Sequence, residues 1–195
     1  MGQRAVPAPA VELSEDRMLS PQTLSEADRR LIALWAADCA EHVLPLFEAE
    51  APDDERMREA IARTRAFGRG ELDTAGEIRR RFVALRAAGA VTSAAAAAAA
   101  RAGAQAAGVA HMGAHALGAA AYAAKATGLA ASRQPDAVLL EVRWQLDRLT
   151  APTRSALRQL PPLGENSAGP LGSGLLATGV LADVIRRIQA DVAAR

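Results

Sequence analysis

Apolar side chains recur every three or four positions through residues 24–160 and nowhere alternate, so the chain reads as a succession of amphipathic helices without strands. Ser25 followed by Asp28 marks a helix start, with Leu24 before it as a hydrophobic staple. Leu31, Leu34, Trp35, Cys39, His42 and Leu46 keep the helical period, and Pro45 predicts a kink or an end near Glu41. Pro52-Asp53-Asp54 opens a second helix with Met57, Ile61, Thr64 and Phe67 on one face and Gly68 and Gly70 at its end. Asp73 caps a third, with Ile78, Phe82 and Leu85 as its core side. Thr92 or Ser93 caps an alanine segment reaching about Thr127, as one helix or as two broken near Gly108. A fifth helix, from Asp136 to about Leu149, draws apolar surface from Leu139, Leu140, Val142, Trp144 and Leu146, and a short one follows over Thr153–Leu160. The last segment, Val180–Ala194, places Val180, Leu181, Val184, Ile185, Ile188 and Val192 on one face. The expected architecture is all-α, a compact bundle of about five to seven helices. The bundle is expected over 24–160, after a disordered tail at 1–23 and before a Pro/Gly linker and amphipathic helix at 161–195.

Composition sharpens this picture. Half of the 195 residues are hydrophobic but only 3% are aromatic; 49 alanines make up the difference. An alanine interior implies closely approaching helices with little apolar area per residue. The single Cys39 excludes an intrachain disulfide and suits a reducing cytoplasm. No signal peptide is expected at Met1–Ala10, and Arg101 and Gln105 interrupt the alanine run too soon for a membrane span. A net charge of +1 predicts no overall attraction to nucleic acid. The signs are segregated, however. Nine acids fall in residues 24–55 against two arginines, and nine arginines fall in 56–86 against four acids. Neighbouring helices that pair their charges, or a partner surface of one sign, would account for that. The run Arg79-Arg80-Arg81 with Arg86 reads as a solvated or ion-paired face.

Candidate chemistry gathers in Val109–Ala126. His111, His115, Gly118, Tyr122 and Lys125 are spaced four, three, four and three, which places them on one face if the segment is a single helix. Two imidazoles four apart suit one transition metal, and His42, with Cys39 and Asp38 or Glu41, would complete a site if those helices pack together. The order of a lone histidine and a later His-x3-His resembles that of DinB-like metal-binding bundles, and the resemblance implies a divalent transition-metal enzyme as one alternative. Buried structural histidines between alanine helices are the other reading. Tyr122 then packs in the core with its hydroxyl at a polar edge, and Lys125 complements a helix C-terminus. Cys39, mid-helix among apolar neighbours, reads as core.

Several blocks resemble the Imm-5-like family of bacterial immunity proteins, associated with polymorphic toxin systems. They are Leu24-Ser-Glu-Ala-Asp-Arg-Arg-Leu31, Leu34-Trp-Ala-Ala-Asp-Cys-Ala-Glu-His-Val-Leu-Pro-Leu-Phe47, Pro52-Asp-Asp54, the segment with His111, His115, Gly118, Tyr122 and Lys125, and Glu141-Val-Arg-Trp-Gln-Leu146. The resemblance implies a small helical cytoplasmic protein, without catalytic residues or cofactor, that binds and neutralises a cognate toxin. Asp38, His42, His111, His115, Tyr122 and Lys125 are its matched polar positions, either a binding surface or an internal cluster. The turn Asp53, Asp54 and Glu55 is a candidate contact for a basic toxin. A third reading is an adaptor whose C-terminal helix joins copies into a homo-oligomer.

Overall fold

The computed structural model describes residues 20–77, 86–131 and 133–194. Its helices are α1 (Glu26–His42), α2 (Leu44–Glu48), α3 (Arg56–Gly68), α4 (Ala94–Gly108), α5 (His115–Ala130), α6 (Ala137–Leu146), α7 (Ala151–Arg158) and α8 (Gly179–Ala194), with a 3-10 turn at Leu175–Ala177. No strand forms among the described residues, so the chain is all-α. Residues 74–77 begin another helical stretch, and Asp73 Oδ1 accepts from Gly76 N at 2.7 Å as a cap should. Ile78, Phe82, Leu85 and the run Arg79-Arg80-Arg81 lie outside the described residues, as does the tail over 1–19.

The predicted boundaries have visible causes. Ser25 caps α1 by accepting from Asp28 N, and Ser93 caps α4 by accepting from Ala96 N. Pro45 begins α2, where its missing N–H costs nothing, and α1 stops at His42 just before it. Met57, Ile61, Thr64 and Phe67 are the buried face of α3. Opposite charges pair across helices: Arg65 joins Asp38 at 2.5 Å and Glu41 at 2.6 Å, and Arg58 meets Glu48.

Helix α5 is the centre. It is apolar all round and packs on α1, α4, α6 and α8. Alanine makes this possible, since Ala98, Ala99, Ala102 and Ala106 of α4 and Ala116, Ala119, Ala120 and Ala123 of α5 are all fully buried. Glycines set the closest approaches. A Cβ on Gly108 would strike the His115 ring at 2.8 Å, and one on Gly118 would strike the Gln105 amide. Helix α8 lays Leu181, Val184, Ile185, Ile188 and Val192 inward against α5 and α7, so its apolar face is used inside the fold.

Two expectations need correction. The stripe from His111 to Lys125 is not on one helix: α4 ends at Gly108, and His111 sits in a turn before α5 starts at His115. The break near Gly108 was one of the two alternatives, and its cause is remote in sequence. Gly113 N and Ala114 N leave the helical ladder to donate to Thr23 O and Gln22 O at 3.1 and 3.0 Å. A Cβ on Gly113 would meet Leu24 at 2.8 Å, so only glycine lets the two segments touch. Residues 20–23 are thus part of the fold. Gln22 is fully buried, donating from Nε2 to Ala168 O at 2.7 Å and accepting from Leu171 N at 2.9 Å. The second correction is the facing of α6. Its buried side is Ala137, Glu141, Val142 and Gln145, while Leu139 and Leu140 stand 44% and 60% exposed.

Candidate functional site

The candidate polar residues divide between two places. His42 belongs to the first, where α1 meets α6. Its Nδ1–H donates to Glu141 Oε2 at 2.8 Å, and the Glu141 side chain is only 1% exposed. Glu141 Oε1 accepts from Gln145 Nε2 at 2.9 Å, which also donates to Ala120 O on α5. Trp35 Nε1 donates to Gln145 O at 2.9 Å. The His42 ring lies flat on Trp144, with centroids 3.7 Å apart and planes within 4°, and the Arg148 guanidinium sits 3.5 Å from the Trp144 centroid. A carboxylate taken out of water needs such donors, because its unpaired burial is costly. Burial, then the neighbouring Glu141 and Asp38 charges, push the Cys39 thiol well up, so it stays protonated core. Asp38 itself is held by Arg65 on the outer side of α1.

The second place lies between α4, α5 and the segment 169–176. His115 Nδ1–H donates to Gln105 Oε1 at 2.8 Å, and that amide fits only because Gly118 leaves space for it. Beside this pair opens a cavity of about 400 Å³ that reaches His111 in the turn and Tyr122 two turns further along α5. Met112, Pro170, Leu175 and Leu176 make the rest of its wall. Tyr122 is 4% exposed, and burial raises its hydroxyl pKa against a smaller lowering by Arg101. The phenol therefore stays a neutral donor at physiological pH. His111, His115 and Tyr122 thus come together although His111 has left the helix. Lys125, half-buried on α5, is not among the residues of that wall. His42 lies in the other cluster, and among the described residues no group of three or more His, Cys, Asp or Glu is placed to hold a metal.

The turn Asp53, Asp54 and Glu55 forms, with Glu50 and Glu59, the rim of a shallow acidic depression. Arg56 takes Asp54 at 2.5 Å and lowers its pKa. Glu50 is held at about 2 by the Ser93 side chain and by the backbone N–H groups of Thr92 and Ser93. Asp53 and Glu55 remain exposed. Sequence reasoning missed Glu141 and Gln145 as a buried pair and the 169–176 wall. The first carried a signal, an acid and an amide at i and i+4, on one side of a helix whose only other polar residue is Arg143.

An alanine-packed bundle whose polar side chains are mostly engaged with one another defines a protein of helical scaffold type. A family model described as Imm-5 like putative immunity protein matches residues 22–152, about two thirds of the chain, and the chain belongs to that family. No curated protein and no solved structure matches. Both partners of the His42–Glu141 pair fall inside the matched residues, whereas the cavity wall at 169–176 falls beyond them. No helix among the described residues is long and apolar enough to cross a membrane.

Proposed function

We propose that this chain is an immunity protein that binds a cognate toxin protein in the cytoplasm and neutralises it by occlusion, without catalysis. Membership of the immunity family carries this reading. The surface that suits the contact best is the outer side of α6, where Leu139 and Leu140 are exposed, Trp144 is half-exposed and Arg143 and Arg148 flank them. Aromatic, leucine and arginine side chains on a rigid helix are the composition of interface anchors. The stack on His42 and the bonds of Glu141 hold Trp144 and the helix in place before any partner arrives, which lowers the ordering cost of binding. Asp53 and Glu55 would add long-range attraction to a basic toxin.

The test is co-expression with the toxin genes encoded beside it. Rescue of growth and co-purification with one toxin are expected. Leu140→Arg should abolish both while leaving the melting temperature unchanged. Asp53→Lys with Glu55→Lys should weaken binding only at low salt. Failure to rescue or co-purify with any neighbouring toxin contradicts the reading.

A further inference from the structure

Between α5, α7 and α8 the core leaves a pit that its own side chains do not fill. Leu117 reaches it from α5, where its neighbours one turn on are Ala120 and Ala121, which extend no further than a methyl group. Leu157 and Leu160 line it from the side of α7, Ile188 and Val192 line it from α8, and all five leucine, isoleucine and valine side chains are buried. The space measures about 240 Å³, whereas a packed interior keeps few voids larger than one water. Gln189 ties the segment after α7 across α8, donating from Nε2 to Pro161 O at 2.9 Å and accepting from Leu163 N at 3.2 Å. Those bonds hold Pro162 in the wall and engage the Gln189 amide at both ends.

Arg158 is the one charged side chain among the described residues that line the pit. It is exposed, in the last turn of α7. No described carboxylate pairs with it, and Asp191, which α8 turns towards α7, is already held by Arg154 at 2.6 Å. An apolar pit beside a guanidinium of this kind complements an alkyl chain that ends in a carboxylate. The methylenes drive the chain out of water, and a guanidinium holds a carboxylate by two parallel hydrogen bonds. A cavity of about 150 Å³ takes the six carbons of benzene, so this one has room for about eight. Apart from Leu117, the wall lies beyond the family match at 22–152, and none of it belongs to α6.

We propose that this pit binds a straight-chain saturated carboxylate of about eight carbons, with its chain between Leu117, Leu160 and Ile188 and its carboxylate on Arg158.

The isoleucines make the experiment self-controlled, since Ile188 lines the pit while Ile32 is buried on α1 and Ile61 on α3. Octanoate is titrated into the full chain at neutral pH while the isoleucine δ1-methyl resonances are followed by NMR. Octanoate should shift Ile188 to saturation and leave Ile32 and Ile61 in place. Hexanoate, two methylenes shorter, should bind about tenfold more weakly. Arg158→Gln changes an exposed side chain and should fold as the parent does. It should weaken octanoate about fivefold and leave the binding of 1-octanol, which has the chain without the charge, unchanged. The proposal is overturned if octanoate leaves Ile188 unmoved or moves Ile32 and Ile61 equally. It is also overturned if hexanoate binds as well as octanoate, or if Arg158→Gln binds octanoate as the parent does or loses 1-octanol to the same degree.

Discussion

The two places where histidines settle are built on opposite principles. At the α1–α6 junction large side chains close over a buried carboxylate: His42, Gln145, Trp35 and Trp144 leave Glu141 no access to water. Between α4 and α5 the side chains are alanine and glycine, the backbones approach closely, and what remains beside Gln105, His115 and Tyr122 is space. A polar cluster filled by its own helices serves rigidity. The other keeps open space beside its polar groups.

The largest effect should come from the closed cluster. Glu141→Ala leaves the fully buried Gln145 Nε2 without its carboxylate acceptor and releases the partly exposed His42 ring, and should cost about 3 kcal/mol, lowering the thermal midpoint by roughly 10 °C. Glu141→Gln keeps the shape and should lose distinctly less. Next is Gly118→Ala, whose Cβ drives into the Gln105 amide and should cost about 1–3 kcal/mol. Gly174→Ala, facing open space, should be neutral within about 0.5 kcal/mol. Calorimetry of the pair tests whether the α4–α5 approach requires Gly118. Trp35→Phe removes one donor, that to Gln145 O, and should cost about 1 kcal/mol in urea unfolding.

The smallest effect is a pH effect away from both clusters. Glu50 has a folded pKa of about 2 against an ordinary 4.5, so its contribution is fully present above pH 4.5 and is lost as pH falls towards 2. The acid limb of stability should therefore flatten slightly in Glu50→Gln and stay unchanged in Asp53→Asn.

Local signals were legible in the sequence wherever neighbours decided the outcome. Ser25 and Ser93 cap where their side chains reach their own helix, and Pro45 divides α1 from α2 by its missing donor. The charge segregation of 24–86 likewise foretold pairs such as Arg65 with Asp38 and Glu41. Distant partners decided the rest. His111 leaves the helix because the Gln22 and Thr23 carbonyls, some ninety residues earlier, take the Gly113 and Ala114 N–H groups. Helix α6 buries Glu141 and Gln145 ahead of Leu139 and Leu140 because His42 bonds the carboxylate and Ala120 O and Glu141 take the Gln145 Nε2 donors, although Gln145 Oε1 is buried without a partner. That exchange exposes two leucines that local hydrophobicity would have hidden. The segment 169–176 looked like a linker because its role depends on Gln22, and nothing near it in sequence records that.

The most direct test of the toxin-binding account is hydrogen exchange on the purified chain with and without the toxin that co-purifies with it. Slowed exchange concentrated in 137–148, with binding lost in Leu140→Arg, is the predicted result. A complex that leaves 137–148 exchanging as in the free chain would contradict the assignment of α6 as the contact, and the absence of any complex would contradict the immunity role itself.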